Sequence, residues 1–333
     1  MIIFNFGSYT PDLSPIISDL FNFRRLIQGL STIIYVTLSF GRFTSYLSTI
    51  IYVLFNFRRL TRKEGVEVEV ETKIKFKLQG KSIIEEASIN KKGNKILIQG
   101  SNYEVNQLPW DVPISGTIYG TLLNYKGALE AMGDELNHSP YQSPPKAPIL
   151  YIKPVNTMTS FNTPIPLPTD IPELEVGAAL GIVIGRPATN VKEDQAFNYI
   201  AGYTIVNDIS IPHRSVYRPA ITEKARDGFC PIGPWIVEKG AHINPDNLTI
   251  KVFVNEVLRQ ENTTANLIRP VSKLLQDITE FMTLYPGDTV LVGIPENPPF
   301  VRDGDRIRIE IEQIGNLENT VVHEKNVALG VSI

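Results

Sequence analysis

The sequence predicts an α+β protein: one mixed β domain, rolled or sandwich-like, with a small β segment on its N-terminal side. Three observations predict it. Short apolar, β-branched runs recur between turn signals, among them Ile149–Lys153, Gly177–Gly185, Ala201–Ile209 and Leu248–Val254. Helical periodicity is sparse beside them, which favours a rolled β domain over a doubly wound sheet. Finally, Val66–Glu71 and Lys73–Leu78 alternate apolar and charged residues, the pattern of strands with one wet face.

The chain has 333 residues and a formal net charge of −3. That length holds one large domain or two ordinary ones, and the charge points to neither nucleic acid nor an anionic membrane surface. With Cys230 as the single cysteine no intrachain disulfide can form, and a reducing cytoplasm is the expected setting. His138, His213, His242 and His323 stand too far apart for zinc-ligand spacing. No glycine-rich phosphate loop occurs, so a nucleotide cofactor has no support.

Residues 1–60 differ from everything after them. Leu-Phe-Asn-Phe-Arg-Arg-Leu occurs at 20–26 and again at 54–60; Leu-Ser-Thr-Ile-Ile-Tyr-Val occurs at 30–36 and again at 47–53. Structural repeats keep a common period and diverge in sequence, whereas these copies are identical and sit at unequal offsets. A repetitive, non-native or disordered extension is the expectation. Arg42 divides the apolar tract into pieces shorter than the roughly 20 residues that span a bilayer. No charged leader with a cleavage site precedes it. The alternative is a surface-attached hairpin or helix.

Residues 61–116 read as a small N-terminal β subdomain, with Lys91–Asn94 as a hairpin turn into Lys95–Gln99. Charges on its open face suit an edge that must not aggregate, and its size suits a lid or docking piece on the main domain. From residue 117 to about 330 the pattern is that of one mixed domain. Thr121–Gly133 is helical by the spacing of Leu122, Leu123, Leu129 and Met132, and Ile149–Lys153 is a strand closed by Pro154. Gly177–Gly185 is a small-residue strand, Lys192–Tyr199 a short helix. Val271, Leu274, Leu275, Ile278, Phe281 and Met282 make one apolar helical stripe. Pro286-Gly-Asp288 and Asp303-Gly-Asp305 are turns leading into strands Thr289–Gly293 and Arg306–Glu312.

The apolar run Ala201–Ile209 carries the pair Asn207-Asp208 at its end. A strand end fixes geometry while admitting substrate, so such a pair is a common place for chemistry. It is equally a common way to open a turn.

Over residues 117–325 the chain resembles the fumarylacetoacetate hydrolase family. The resemblance rests on blocks in order: Asn124-Tyr125, Tyr151-Ile-Lys-Pro154, Ile182-Val-Ile-Gly185, Gly202-Tyr-Thr-Ile-Val-Asn-Asp208, Lys224-Ala-Arg-Asp-Gly-Phe-Cys-Pro-Ile-Gly-Pro-Trp235, Val254-Asn255 with Gln260 and Thr264, and Thr283-Leu-Tyr-Pro-Gly-Asp288. Tyr217-Arg-Pro219 ahead of Lys224 is most similar to the isomerase/decarboxylase branch of 4-hydroxyphenylacetate (homoprotocatechuate) degradation. The resemblance implies a β-roll, a dimer or larger oligomer, and Mg²⁺- or Mn²⁺-dependent chemistry on small polyanionic 2-oxo or enol acids. The metal would chelate the 2-oxo acid and stabilise an enolate, with a lysine sharing that charge.

The family's third carboxylate matches Asp208 and its lysine matches Lys224. The resemblance makes both catalytic, with Asp208 also a metal ligand. The other positions depart. The Glu-x-Glu positions hold Gly177 and Ala179, the histidine position holds Ala128, Gly-Thr-Pro is Gly293-Ile294-Pro295, and Ala-Arg-Asp after the Asp208 turn is Ile211-Pro212-His213. Glu173 and Glu175 share parity with 177 and 179 but lie four residues earlier, roughly 13 Å along a strand, and Pro172 argues for loop there. They are poor substitutes.

Lys224, Arg226, Tyr217 and Arg218 form a cationic and phenolic set suited to a polyanion, with Asn207 and Lys153 as further substrate-binding residues. The alternative is an Arg–Asp network with Asp227 that only holds the loop, and Asp208 as a turn former or ion-pair partner of Lys224 or Arg226. His213 is expected in a loop and Cys230 in the core. The implied protein is the metal-ligand-poor half of a two-part enzyme, paired with a homologous metal-bearing chain. Alternatives are an independent hydrolase or acylpyruvase with a displaced metal site, and a non-catalytic structural partner.

Overall fold

The computed structural model describes residues 72–90, 95–213, 218–240 and 243–327. The expectations for residues 1–60, for Val66–Glu71, for the Lys91–Asn94 turn and for Tyr217 therefore lie outside the described residues. All described residues belong to one compact unit, Glu69–Ile333.

Among them, the alternating run at 73–78 becomes strand Thr72–Leu78, whose Ile74 and Phe76 turn inward while its lysines face water. It pairs on one side with Glu85–Ile89 and on the other with Cys230–Glu238, matching Phe76 to Trp235. The N-terminal strands are thus continuous with the large sheet. That sheet runs through Ser101–Glu104, Lys95–Ile98, Glu85–Ile89, Thr72–Leu78, Cys230–Glu238, Ile200–Asn207, Ala178–Ile184, Thr289–Leu291, Ile118–Leu122 and Ile149–Lys153. Its central strands read as unbroken apolar runs because both faces are covered; all seven residues of Ala178–Ile184 are buried.

A second sheet holds Val257–Thr263, Thr249–Val254, Arg306–Ile311, Gly315–His323 and Ile165–Leu167 in that order. It packs against the large sheet in one shared core, and Trp235 is one of the ties. Its indole nitrogen donates to the Ile314 carbonyl at 2.8 Å, and its ring stands edge-on to Trp110, which stands edge-on to Phe76. Helix Val271–Thr279 buries Val271, Leu274, Leu275 and Ile278 on the same core. The mixed rolled fold with few helices is therefore the observed one.

Two local expectations need correction. Residues 121–133 are not one helix: Ile118–Leu122 is a strand, Leu123 takes a left-handed φ of 54°, and only Lys126–Ala131 is helical. Pairing of Ile118–Leu122 to strands on both flanks overrides the leucine spacing. The 271–282 stripe also stops early. The helix ends at Thr279, and Phe281 beyond it is exposed. Both predicted turns are present, with Gly287 and Gly304 at positive φ.

Candidate functional site

Strands Ala178–Ile184 and Ile200–Asn207 run antiparallel and end together, Ala178 opposite Asn207. Past that pair the chains stay joined. Gly177 N–H donates to Asn207 Oδ1 at 3.1 Å, Asp208 N–H donates to the Gly177 carbonyl at 2.8 Å, and Glu175 and Ser210 exchange backbone hydrogen bonds. Asn207 is thus committed to closing the strand end, and Asp208 is fixed with its carboxylate in the interior, its side chain 0% exposed.

Two lysines and a tyrosine converge on that carboxylate. Lys153 Nζ lies 2.9 Å from Oδ1 and Lys224 Nζ 2.9 Å from Oδ2. Tyr151 Oη donates to Oδ2 in a short hydrogen bond. Tyr151 and Lys153 are two apart on the outermost strand Ile149–Lys153, so strand alternation aims both at the same target. Lys224 ends a single helical turn, Ile221–Lys224, and its Nζ stands 5.1 Å from the Tyr151 ring centre. Lys153 is fully enclosed, and its hydrogen bonds go to the carbonyls of Lys224 (2.6 Å) and Ile209 (3.2 Å). Oδ1 is accordingly charge-paired but receives no well-aligned hydrogen bond. Of the two lysines, Lys224, with 9% of its side chain exposed, is the one that reaches solvent.

Burial pushes the Asp208 carboxyl up, but Lys153, Lys224 and the Tyr151 hydroxyl together hold it well below the ordinary carboxylate range. Burial, then the Asp208 charge, pushes the Tyr151 phenol well up, so it stays a donor. Cys230 is fully buried nearby, and burial pushes its thiol up to about 12, so it is a thiol and not a nucleophile. Half-buried Glu175 flanks the group; burial raises it, while Lys224 and His213 pull the other way.

The remaining expected residues fall elsewhere. Glu173 pairs with Arg302 at 3.1 Å on the surface. Arg218 and Arg226 are exposed, and Arg226 Nε donates to the Thr222 carbonyl at 2.8 Å. Asp227 accepts from Asn156 at 2.7 Å. His213 lies in a loop, its Nδ1 3.0 Å from the Ile211 carbonyl and 3.2 Å from Ser210 Oγ. Sequence reasoning missed Tyr151 as a site residue; its parity with Lys153 was the available signal.

The residues present do not fit a divalent cation. Oδ1 of Asp208 faces the Lys153 ammonium, Oδ2 accepts from Lys224 and the Tyr151 hydroxyl, and positions 177 and 179 offer no oxygen-bearing side chain. Among the described residues no group of three or more His, Cys, Asp or Glu side chains converges. What the cluster offers is two ammonium groups against one carboxylate, a cationic corner suited to an anionic oxygen. No helix among the described residues is long and apolar enough to cross a membrane.

Comparison with known proteins agrees with this fold. Residues 117–322 match the fumarylacetoacetate (FAA) hydrolase C-terminal family model. The chain is 43% identical over 214 residues to the 4-hydroxyphenylacetate degradation bifunctional isomerase/decarboxylase of Escherichia coli, covering 64% of this chain and 49% of that protein. It therefore spans about half the length of this curated relative. Among solved structures, 5-carboxymethyl-2-hydroxymuconate delta-isomerase from Mycobacterium smegmatis aligns with a TM-score of 0.63 and 30% identity, over 75% of this chain and 98% of that one. Maleylpyruvate hydrolase from Sphingobium sp. SYK-6, solved with manganese(II) and pyruvate, aligns with a TM-score of 0.56 and 28% identity, over 67% and 77%.

Proposed function

The chain belongs to the fumarylacetoacetate hydrolase family, and from that premise we propose that it is one subunit of an isomerase/decarboxylase. Its substrates would be 2-oxo or enol di- and tricarboxylates of aromatic catabolism, of the 2-hydroxyhepta-2,4-diene-1,7-dioate and 5-oxopent-3-ene-1,2,5-tricarboxylate type. A homologous chain bearing Glu-x-Glu would hold the Mg²⁺ or Mn²⁺ and complete the enzyme in the cytoplasm. The observation that carries this reading is a coincidence of two facts. The match covers half of a bifunctional relative, and the one retained acidic position, Asp208, is consumed by lysines.

In this chain the Lys224 ammonium would meet a substrate carboxylate or enolate oxygen at the open corner of the cluster. Arg218 and Arg226, exposed beside the Ile221–Lys224 turn, would draw the polyanion in. Asp208 orients Lys224, and Lys153 holds both in place.

The test is to purify the full chain alone and together with a Glu-x-Glu homologue, then assay isomerisation and decarboxylation with Mg²⁺. The expected result is turnover only in the pair, reduced by Lys224→Ala in this chain. Robust turnover by this chain alone, abolished by Asp208→Ala, would overturn the reading in favour of an independent hydrolase. Turnover in the pair that ignores Lys224→Ala would favour a purely structural partner.

A further inference from the structure

The Asp208 centre departs from a cation site by more than two missing carboxylates. At Gly177, the first Glu-x-Glu position, a Cβ would land inside the Asp208 carbonyl oxygen, a backbone atom that cannot swing aside. That carbonyl is held because the 175–177 and 207–210 segments are laced by the Gly177–Asn207, Asp208–Gly177 and Glu175–Ser210 hydrogen bonds. Gly177 has an ordinary backbone conformation, so its requirement for glycine is one of space, not of φ.

The other side of Asp208 is closed as well. The Tyr151 ring lies directly over Gly120, its partner across the strand pair, where a Cβ would overlap the ring. That seat delivers the hydroxyl to Asp208 Oδ2, the oxygen Lys224 also holds, while buried Lys153 occupies Oδ1. An entering divalent cation would have to displace two ammonium groups and a phenol from one carboxylate. It would find no second oxygen ligand at 177 or 179. Hard cations such as Mg²⁺ need several oxygens in near-octahedral array.

We infer that this centre is a locked, cation-excluding form of the family site: Lys153, Lys224 and Tyr151 occupy the Asp208 oxygens, and Gly177 closes the strand end so that restoring carboxylates at 177 and 179 does not restore metal binding. The inference concerns this chain's own affinity for cations and does not depend on the reaction proposed above.

The probe is Mn²⁺ alone, titrated into the full chain by calorimetry and by the loss of its free paramagnetic resonance signal. Wild type, Ala179→Glu combined with Tyr151→Phe, and Gly177→Glu combined with Ala179→Glu are compared, each with and without Asp208→Asn. No Asp208-dependent uptake is expected in any of them up to about 1 mM, the weak end of oxygen-ligated cation sites. Uptake near one ion per chain that Asp208→Asn removes, in any of the three, overturns the inference. Because the glutamate at 177 can prevent folding, Gly177→Ala is measured separately. It should lower the thermal midpoint by at least about 5 °C, and an unchanged midpoint overturns the closure. Activity with a partner chain plays no part in these readouts.

Discussion

Lys153 holds Lys224 by its backbone: the Lys153 Nζ donates to the Lys224 carbonyl at 2.6 Å while standing 2.9 Å from Asp208 Oδ1. The buried lysine therefore fixes the loop from which the second lysine reaches the other carboxylate oxygen. It is a positioning residue, and the expectation that it binds substrate has to meet the fact that its side chain is fully enclosed.

Lys153→Met should be among the most damaging single changes. It leaves a buried carboxylate short of a partner and two carbonyls without a donor, a loss of about 3–5 kcal/mol. Urea unfolding measures it. A loss below about 1 kcal/mol, the worth of a surface ion pair, would mean that the Lys153 contact is incidental.

Acid should weaken the fold through Asp208. Its folded-state carboxyl is held below the ordinary range, so its contribution is complete above about pH 4, the usual aspartate value, and drains away as pH falls toward the folded value. Asp208→Asn should therefore be less stable than wild type at neutral pH yet lose less on acidification. Unfolding midpoints from neutral pH down to the acid limb test this, and parallel curves for the two proteins would rule it out.

Gly120 and Tyr151 should behave as one unit. Gly120→Ala drives a methyl into the Tyr151 ring and should destabilise the protein by about 1–3 kcal/mol, the usual range for overpacking. In a Tyr151→Ala background the same change should be far milder. A double-mutant cycle measures the coupling, and additive effects would show that the ring is not the obstacle.

The only two tryptophans, Trp110 and Trp235, meet edge-on where the N-terminal strands join the large sheet. Their emission should report the same unfolding transition as far-ultraviolet circular dichroism, as coincident probes do in a two-state protein. An earlier fluorescence transition would mean that residues 72–111 detach first.

Much of this fold was legible because strand alternation and turn chemistry are local. Lys73–Leu78, Ile149–Lys153 and the turns at Gly287 and Gly304 all stand where their residues place them. The helix expected over 121–133 failed for a non-local reason: Thr289–Leu291 and Ile149–Lys153 recruit Ile118–Leu122 as a strand. At the site, Asp208 and Lys224 were identified by resemblance, and the structure brings them together. The task of Lys153 could not be read, since its partners are 55 and more positions away in the chain. Nor does any residue pattern announce that Gly177 must be glycine; that follows only from the neighbouring carbonyl.

The family match begins at residue 117, but the sheet does not. Cys230–Glu238, buried along nearly its whole length, is covered on its outer side by the backbone of Thr72–Leu78. A protein trimmed to the matched segment would leave that strand with a row of bare N–H and C=O groups and Trp235 stripped of its aromatic neighbours. Such a border is a template for pairing with other copies. The strands before residue 117 thus cover a stretch of Cys230–Glu238 that would otherwise be bare, and carry the edge of the sheet out to the short, exposed strand Ser101–Glu104.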